Sequence, residues 1–211
     1  MTQDASDPLV PGNYYHIFNR GNNGENIFYS AENYRYFLIK YDQYLSDYVD
    51  TYCFCLLPNH FHLLVQVKSD EQVLHQASQD FRSVGKYAKM SVNLWVNERF
   101  RLFFISYSKA LNKQIGRKGS LFQKPFRRKV INQEAYFTRL VSYIHLNATH
   151  HGIHKDFRTY PWSSYQRILA EYPSKLRREK IIDWFGGKKE YINFHESSGD
   201  EDYELKPLLP G

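Results

Sequence analysis

Two histidines separated by a single residue are the side chains in this sequence best suited to chemistry. They belong to the stretch LPNHFHLLV at residues 57–65, where Pro58 and Asn59 form a turn signal between two apolar runs. The residues after the turn are typical of a strand, and side chains alternate faces along a strand, so His60 and His62 point the same way. Two imidazoles side by side on a rigid strand suit a divalent metal ion. The alternative is a pair of half-buried polar residues on a sheet face.

A phenol and an amide on a predicted helix form a second candidate group. The helix opens at Glu134, carries an apolar side and stops at Gly152. Tyr143 and Asn147 are four residues apart, and residues at this spacing face the same way on a helix. The two side chains therefore project together from one face.

A basic stretch at residues 116–129 is the best candidate for binding phosphates. It mixes lysines and arginines with Phe122 and Phe126, a composition that fits a groove holding phosphates and stacking bases. A solvated charged face is the alternative. For Arg20, which lies in a glycine-rich loop outside this stretch, a plain loop is equally compatible. The candidate nucleic-acid contacts are Arg20, Lys109, Lys113, Arg117, Lys118, Gln123, Lys124, Arg127 and Arg128.

Hydrophobic periodicity and turn residues predict the elements that must position these groups. The sequence predicts a strand at 14–19, a helix at 31–46 capped by Ser30, a hairpin of strands at 49–57 and 60–67, and a helical region opened by Asp70. Residues 80–100 fit no single element, and Trp95 fits a loop or a helix break. Further helices are predicted at 100–115, after a loop at 160–165 and at 190–195, with a short apolar element at 181–185 and a further strand at 126–130.

Composition indicates a folded, moderately basic chain. Its 211 residues are 42% hydrophobic, enough for a packed core, and 28 Lys and Arg against 22 Asp and Glu give a net charge of +6. This balance permits nucleic-acid binding without proving it. No apolar run is long enough to cross a bilayer, and residues 1–10 lack the apolar core of a signal peptide, so we expect a cytoplasmic protein. Cys53 and Cys55 are then expected to be reduced core residues.

Four motifs in order resemble the IS200-like transposase family, and more closely its branch of REP-associated tyrosine transposases. They are LPNHFHLLV at 57–65, GSLFQ at 119–123 with its basic flanks, YIHLN at 143–147 and WSSY at 162–165. The resemblance implies an α+β fold, a ferredoxin-like antiparallel sheet with helices packed on one face, plus C-terminal helical additions. We expect a flexible lead-in at 1–12, a catalytic domain of the HUH type at 13–152, a helical extension at 153–197 and a flexible tail at 198–211.

The same resemblance implies cleavage and rejoining of single-stranded DNA. His60 and His62 match the metal-binding histidine pair, Asn147 takes the position of a third, amide ligand, and Tyr143 matches the nucleophile. Nitrogen and oxygen ligands without thiolate fit Mg²⁺ or Mn²⁺. Attack by the tyrosine gives a covalent 5′-phosphotyrosine and a free 3′-hydroxyl. The implied partner is single-stranded DNA with palindromic hairpins, bound by a monomer or homodimer with no role for a membrane.

Other roles stay open for several residues. Tyr136 is the reserve nucleophile, although it lacks an amide four residues on, and His145 points away from Tyr143. Ala148 replaces a proline that branch members often carry, which eases continuation of the helix. His150, His151 and His154 straddle the helix end and are interpreted as solvated or phosphate-facing. The rival functions are a module that binds DNA or RNA hairpins without cutting them, and a structural zinc protein, for which further ligands are lacking.

Overall fold

The computed structural model describes residues 7–79, 90–133 and 135–198. Its centre is a four-stranded sheet of β1 (Tyr14–Arg20), β2 (Val49–Leu57), β3 (His60–Val67) and β4 (Arg127–Ile131). Neighbouring strands are all antiparallel, in the order β2-β3-β1-β4. This is the ferredoxin-like arrangement, so the predicted fold class is confirmed. The hairpin of β2 and β3 begins and ends where the Pro58-Asn59 turn and the alternating apolar residues predict.

The helices alternate with these strands and then continue beyond them. Their bounds are α1 Ala31–Leu45, α2 Asp70–Gln79, α3 Val92–Ile115, α4 Ala135–His150, α5 Tyr165–Leu169, α6 Arg178–Phe185 and α7 Lys188–Ser197. Ser30 caps α1 in a capping box with Asn33, as its position predicts. Trp95 lies inside α3, which begins earlier than the sequence indicated. Glu134, predicted to open α4, lies outside the described residues.

The sheet is covered on both faces. Helices α1 and α3 pack on one face, here called the α1/α3 face. The sequence predicted helices on one face only, but α4 and the C-terminal helices also cover the opposite face, here called the α4 face. Alternation in β2 sends Phe54 and Leu56 to the first face and Cys55 and Leu57 to the second. Burial on both faces explains why β2 is nearly continuously apolar.

Both cysteines are free thiols in the core of the α4 face. Burial raises the pKa of the Cys55 thiol, so the thiol stays protonated and unreactive at neutral pH.

Residues 7–12, predicted as part of a flexible lead-in, pack on the domain instead. Leu9 is fully buried, and its backbone N–H donates to Asn93 Oδ1 at 2.6 Å. The Tyr15 hydroxyl donates to the Pro8 carbonyl at 2.6 Å. A single buried leucine gives this short segment a fixed position. In the parts of the chain that the structure describes, no helix combines the length and apolar character needed to span a membrane.

Candidate active site

The β2–β3 turn orients the first histidine of the pair. His60 is the first residue of β3, and its Nδ1 lies 2.6 Å from Asn59 Oδ1. Because a carboxamide oxygen only accepts hydrogen bonds, Nδ1 is the protonated nitrogen and Nε2 carries the lone pair. Holding one ring nitrogen in this way is typical of histidines that bind metal through the other.

A third histidine, His16 on β1, orients His62, the second histidine of the pair. His16 Nε2 lies 2.9 Å from His62 Nδ1, and the two rings are stacked with centroids 5.1 Å apart. Both rings are buried, and burial lowers the pKa of His16 to about 3 and that of His62 well below its ordinary value. Both imidazoles are therefore neutral at pH 7. The role of His16 is not evident from the sequence, because it depends on how β1 pairs with β3.

Helix α4 brings the predicted nucleophile to this pair. The Tyr143 ring meets the His62 ring edge-on, with centroids 5.7 Å apart, and lies 6.3 Å from the His16 ring. His151, just beyond the end of α4, lies 4.9 Å from the His60 ring. Asn147 is one helical turn from each of these contacts, so the helix face that carries it runs along both histidines.

The amide of Asn147 has a defined orientation. Its Nδ2 donates to the Tyr143 carbonyl at 2.7 Å, and since a carbonyl cannot donate, the nitrogen must be the atom on that side. The residue is 1% exposed, and Oδ1 has no hydrogen-bond partner among the residues that the structure describes. An unpaired buried oxygen costs free energy, and a bound cation would remove that cost.

Two cationic or titratable groups border His60. Arg20 pairs with His60 in the register of β1 and β3, and its guanidinium is exposed. Burial first, and then the neighbouring His151 and Arg20, lower the pKa of His60 to about 3. The outcome is a neutral imidazole, the form that can ligate a metal, beside a permanent positive charge suited to phosphate.

The donor set fits a divalent cation only if an amide takes part. Within residues 7–79, 90–133 and 135–198, no group of three His, Cys, Asp or Glu side chains is arranged to hold a metal ion. His60 and His62 offer two neutral nitrogens, and Asn147 Oδ1 is an unpaired oxygen on the facing helix. Two imidazole nitrogens and one amide oxygen would leave coordination positions open, unlike the closed four-ligand set of a structural zinc site.

The candidate nucleic-acid contacts divide into two groups. The first group lies next to the histidines. The Gln123 backbone N–H donates to the Arg20 carbonyl at 2.9 Å, which joins the basic stretch to the end of β1. Lys118, Lys124 and Arg127 are exposed on or beside this loop.

The remaining candidates have other partners or positions. Arg117 is engaged with Glu25 at 2.7 Å. Arg128 projects to the α1/α3 face, where it donates to Asn97 Oδ1 at 2.8 Å. Lys109 and Lys113 lie on the exposed side of α3, in the layer across the sheet from α4.

Comparison with solved structures shows what kind of domain carries this site. The structure of a REP-associated tyrosine transposase bound to a REP hairpin is similar over 82% of this chain and 89% of that chain, with a TM-score of 0.57 and 18% identity. The two proteins therefore share a fold. A bacterial tRNA(His) guanylyltransferase-like protein in complex with ATP has a TM-score of only 0.42 at 9% identity. No protein-family model and no curated protein matches the chain.

Proposed function

We propose that this protein is a metal-dependent tyrosine transposase that cuts and rejoins single-stranded DNA next to a hairpin. The observation that carries the proposal is the position of Tyr143, a phenol in ring contact with His62 of the neutral histidine pair and one turn from an unpaired amide oxygen. The shared fold with a transposase that binds a REP hairpin supports the same conclusion.

The chemistry follows from the residues around this phenol. His60, His62 and Asn147 would hold the cation, which when bound neutralises phosphate charge and polarises phosphorus. Tyr143 Oη forms a bond to phosphorus while the bond from phosphorus to the 3′-oxygen breaks. The phenol proton passes to water, the departing 3′-oxygen takes a proton from water, and the 5′-phosphate stays on the tyrosine. Rejoining of the strand reverses these steps and needs no nucleoside triphosphate.

The neighbouring groups bind and orient the DNA strand. Arg20, opposite His60, is placed to contact a non-bridging phosphate oxygen. His16 keeps the His62 ring in one orientation, and Asn59 does the same for His60. Tyr143 is 9% exposed, so packing holds its ring in position.

A nicking assay on single-stranded hairpin oligonucleotides with Mg²⁺ or Mn²⁺ tests the proposal. We expect a covalent protein–DNA adduct with the parent protein and none with Tyr143→Phe, which keeps the ring packing and removes only the hydroxyl. Tyr136→Phe is the matched control on the same helix and should keep the adduct. An adduct that survives Tyr143→Phe would move the nucleophile elsewhere. Tight hairpin binding without cleavage under either metal would favour the hairpin-binding module.

A further inference from the structure

An aromatic side chain with a partly exposed ring lies beside the candidate active site. Phe18 of β1 is on the α4 face, paired with His62 on one side and with Arg127 of β4 on the other. Its ring centroid is 6.0 Å from that of His62, at an interplanar angle of 28°, and 4.9 Å from that of His16. The ring is half-buried. One part of an aromatic surface thus remains open next to the proposed scissile phosphate.

Helix α4 packs mainly over β2 and β3, and on β1 its rings contact Tyr14 and His16. At the far end of β1, Tyr14 is covered by Phe137 and Trp184, at ring distances of 4.6 and 5.8 Å. The α4 face is therefore packed at the Tyr14 end of β1 and open at the Phe18 end.

Cationic side chains flank Phe18 on the same face. Arg20 lies two residues along β1, and Arg127 and Lys129 project from β4 beside Phe18 and His16. Over the described part of the chain, the side chains of Arg127 and Lys129 make no ion pair and no hydrogen bond, whereas Arg128, which projects to the other face, donates to Asn97 Oδ1. From β3 to β4 is two strand spacings, about 10 Å, so these groups are within reach of one extended nucleic-acid strand.

We propose that this open half of the α4 face, consisting of Phe18, Arg20, Arg127 and Lys129, binds unpaired nucleotides adjacent to the scissile phosphate, with one base stacked on Phe18. The proposal rests on the proposed function for its place in the reaction, but it concerns a separate act of binding. Aromatic rings bordered by cations are the usual means of holding single strands, because every base has a stackable face. A base inside a duplex is already stacked on both faces, so this surface favours single-stranded DNA.

The competing role for Phe18 is packing against His16 and His62 to keep the histidines in place. The two roles differ in what a substitution does. A purely packing residue affects metal binding and leaves contacts with bases unchanged. A stacking residue affects the affinity for single strands even without metal.

Binding experiments in the Tyr143→Phe background separate these roles, because no cleavage can occur. The probe is a hairpin oligonucleotide with mixed-sequence single-stranded flanks in which 2-aminopurine replaces adenine, and whose fluorescence falls on stacking. We expect Phe18→Leu to weaken binding about 5- to 150-fold without metal and to abolish the fluorescence decrease, while Phe18→Tyr keeps both. Tyr172→Leu, at an aromatic residue 59% exposed on the segment beside the β2 edge, is the matched control and should change neither.

Photo-cross-linking of the unsubstituted protein gives a test that does not depend on a folded variant. Flanks carrying 5-iododeoxyuridine should cross-link to Phe18, as located by mass spectrometry of the digested adduct. Parent-like binding and fluorescence by Phe18→Leu, or cross-links confined to other segments, would overturn the proposal. Cross-links at Phe18 without any nicking activity would leave this binding site standing and remove the proposed enzymatic function, so the two failures are distinguishable.

Discussion

Asn147→Leu should make the metal-free protein as stable as the parent or more stable, although it replaces a buried residue. The parent amide keeps one hydrogen bond, to the Tyr143 carbonyl, and leaves Oδ1 unpaired among the described residues. An unpaired buried acceptor costs about 1–3 kcal/mol, and an ordinary hydrogen bond contributes about 0.5–1.5 kcal/mol. Leucine has the same branched arrangement of four side-chain heavy atoms, although its methyl groups are bulkier, so we expect the free energy of unfolding to rise by at most about 1 kcal/mol, which is about 2–4 °C in Tm.

The same variant should lose its response to metal. At a concentration 100 times the Kd, a cation that binds only the folded state adds about 2.7 kcal/mol, or about 5–10 °C in the parent. Thermal denaturation with EDTA and with Mn²⁺ measures both effects.

Ser142→Ala is the matched control for the Asn147 substitution, because Ser142 Oγ is another buried atom of α4 with no partner in the described structure. This variant should keep the metal-dependent shift. A metal-free loss above about 1 kcal/mol in Asn147→Leu, or a full metal response, would show that Asn147 is a structural residue and not a ligand.

Two further perturbations test how the rest of the fold supports the site. Burial lowers the pKa of His195 to about 4, so below pH 6.5 the unfolded chain binds a proton that the folded chain does not. The free energy of unfolding should therefore fall between pH 6.5 and pH 4, by up to about 3 kcal/mol from this residue. In urea titrations of His195→Phe, the free energy of unfolding should change with pH by about 1.4 kcal/mol per pH unit less than in the parent. An unchanged pH dependence would contradict the burial argument. At Gly21 a Cβ would lie 2.1 Å from the Glu25 carbonyl oxygen. Gly21→Ala should therefore lower the free energy of unfolding by about 1–3 kcal/mol in a denaturation experiment, and it should weaken DNA binding by displacing Arg20. Parent-like stability would refute the clash.

The parts of the site that could be predicted from sequence are those set by local rules. Turn residues and alternation place His60 and His62 on one face of one strand, and a spacing of four does the same for Tyr143 and Asn147 on their helix. His16 is 46 residues from His62 along the chain, and their contact depends on which strands pair and in what register. Neither the pairing of the strands nor their register can be predicted from the residues next to His16 or His62.

The start of α3 is hard to predict from sequence for a different reason, because the helical spacing of its buried positions is present in the local sequence. Its buried positions Val92, Trp95, Val96, Arg99 and Phe100 follow helical spacing, but an arginine occupies one of them. Its guanidinium lies over the rings of Tyr44 and Tyr48, at 5.5 and 4.9 Å, and its Nε donates to the Tyr44 carbonyl. A charge can occupy a core position when aromatic faces and a carbonyl surround it. If only apolar residues are assigned to the core, the helical pattern is interrupted at Arg99.

The basic stretch shows how far composition can be taken toward function. Arg127, Arg128 and Lys129 look equivalent as a run of charge, yet a strand sends the middle one to the opposite face. The register with β1 then decides which residues share the surface of the histidine pair: Arg127 lies opposite Phe18, and Lys129 lies opposite His16. Total charge thus indicates that the protein can bind a polyanion. The pairing of β1 with β4 determines which positive charges can contact the same strand as Tyr143, and for that reason we expect loss of Arg127 to weaken single-strand binding more than loss of Arg128.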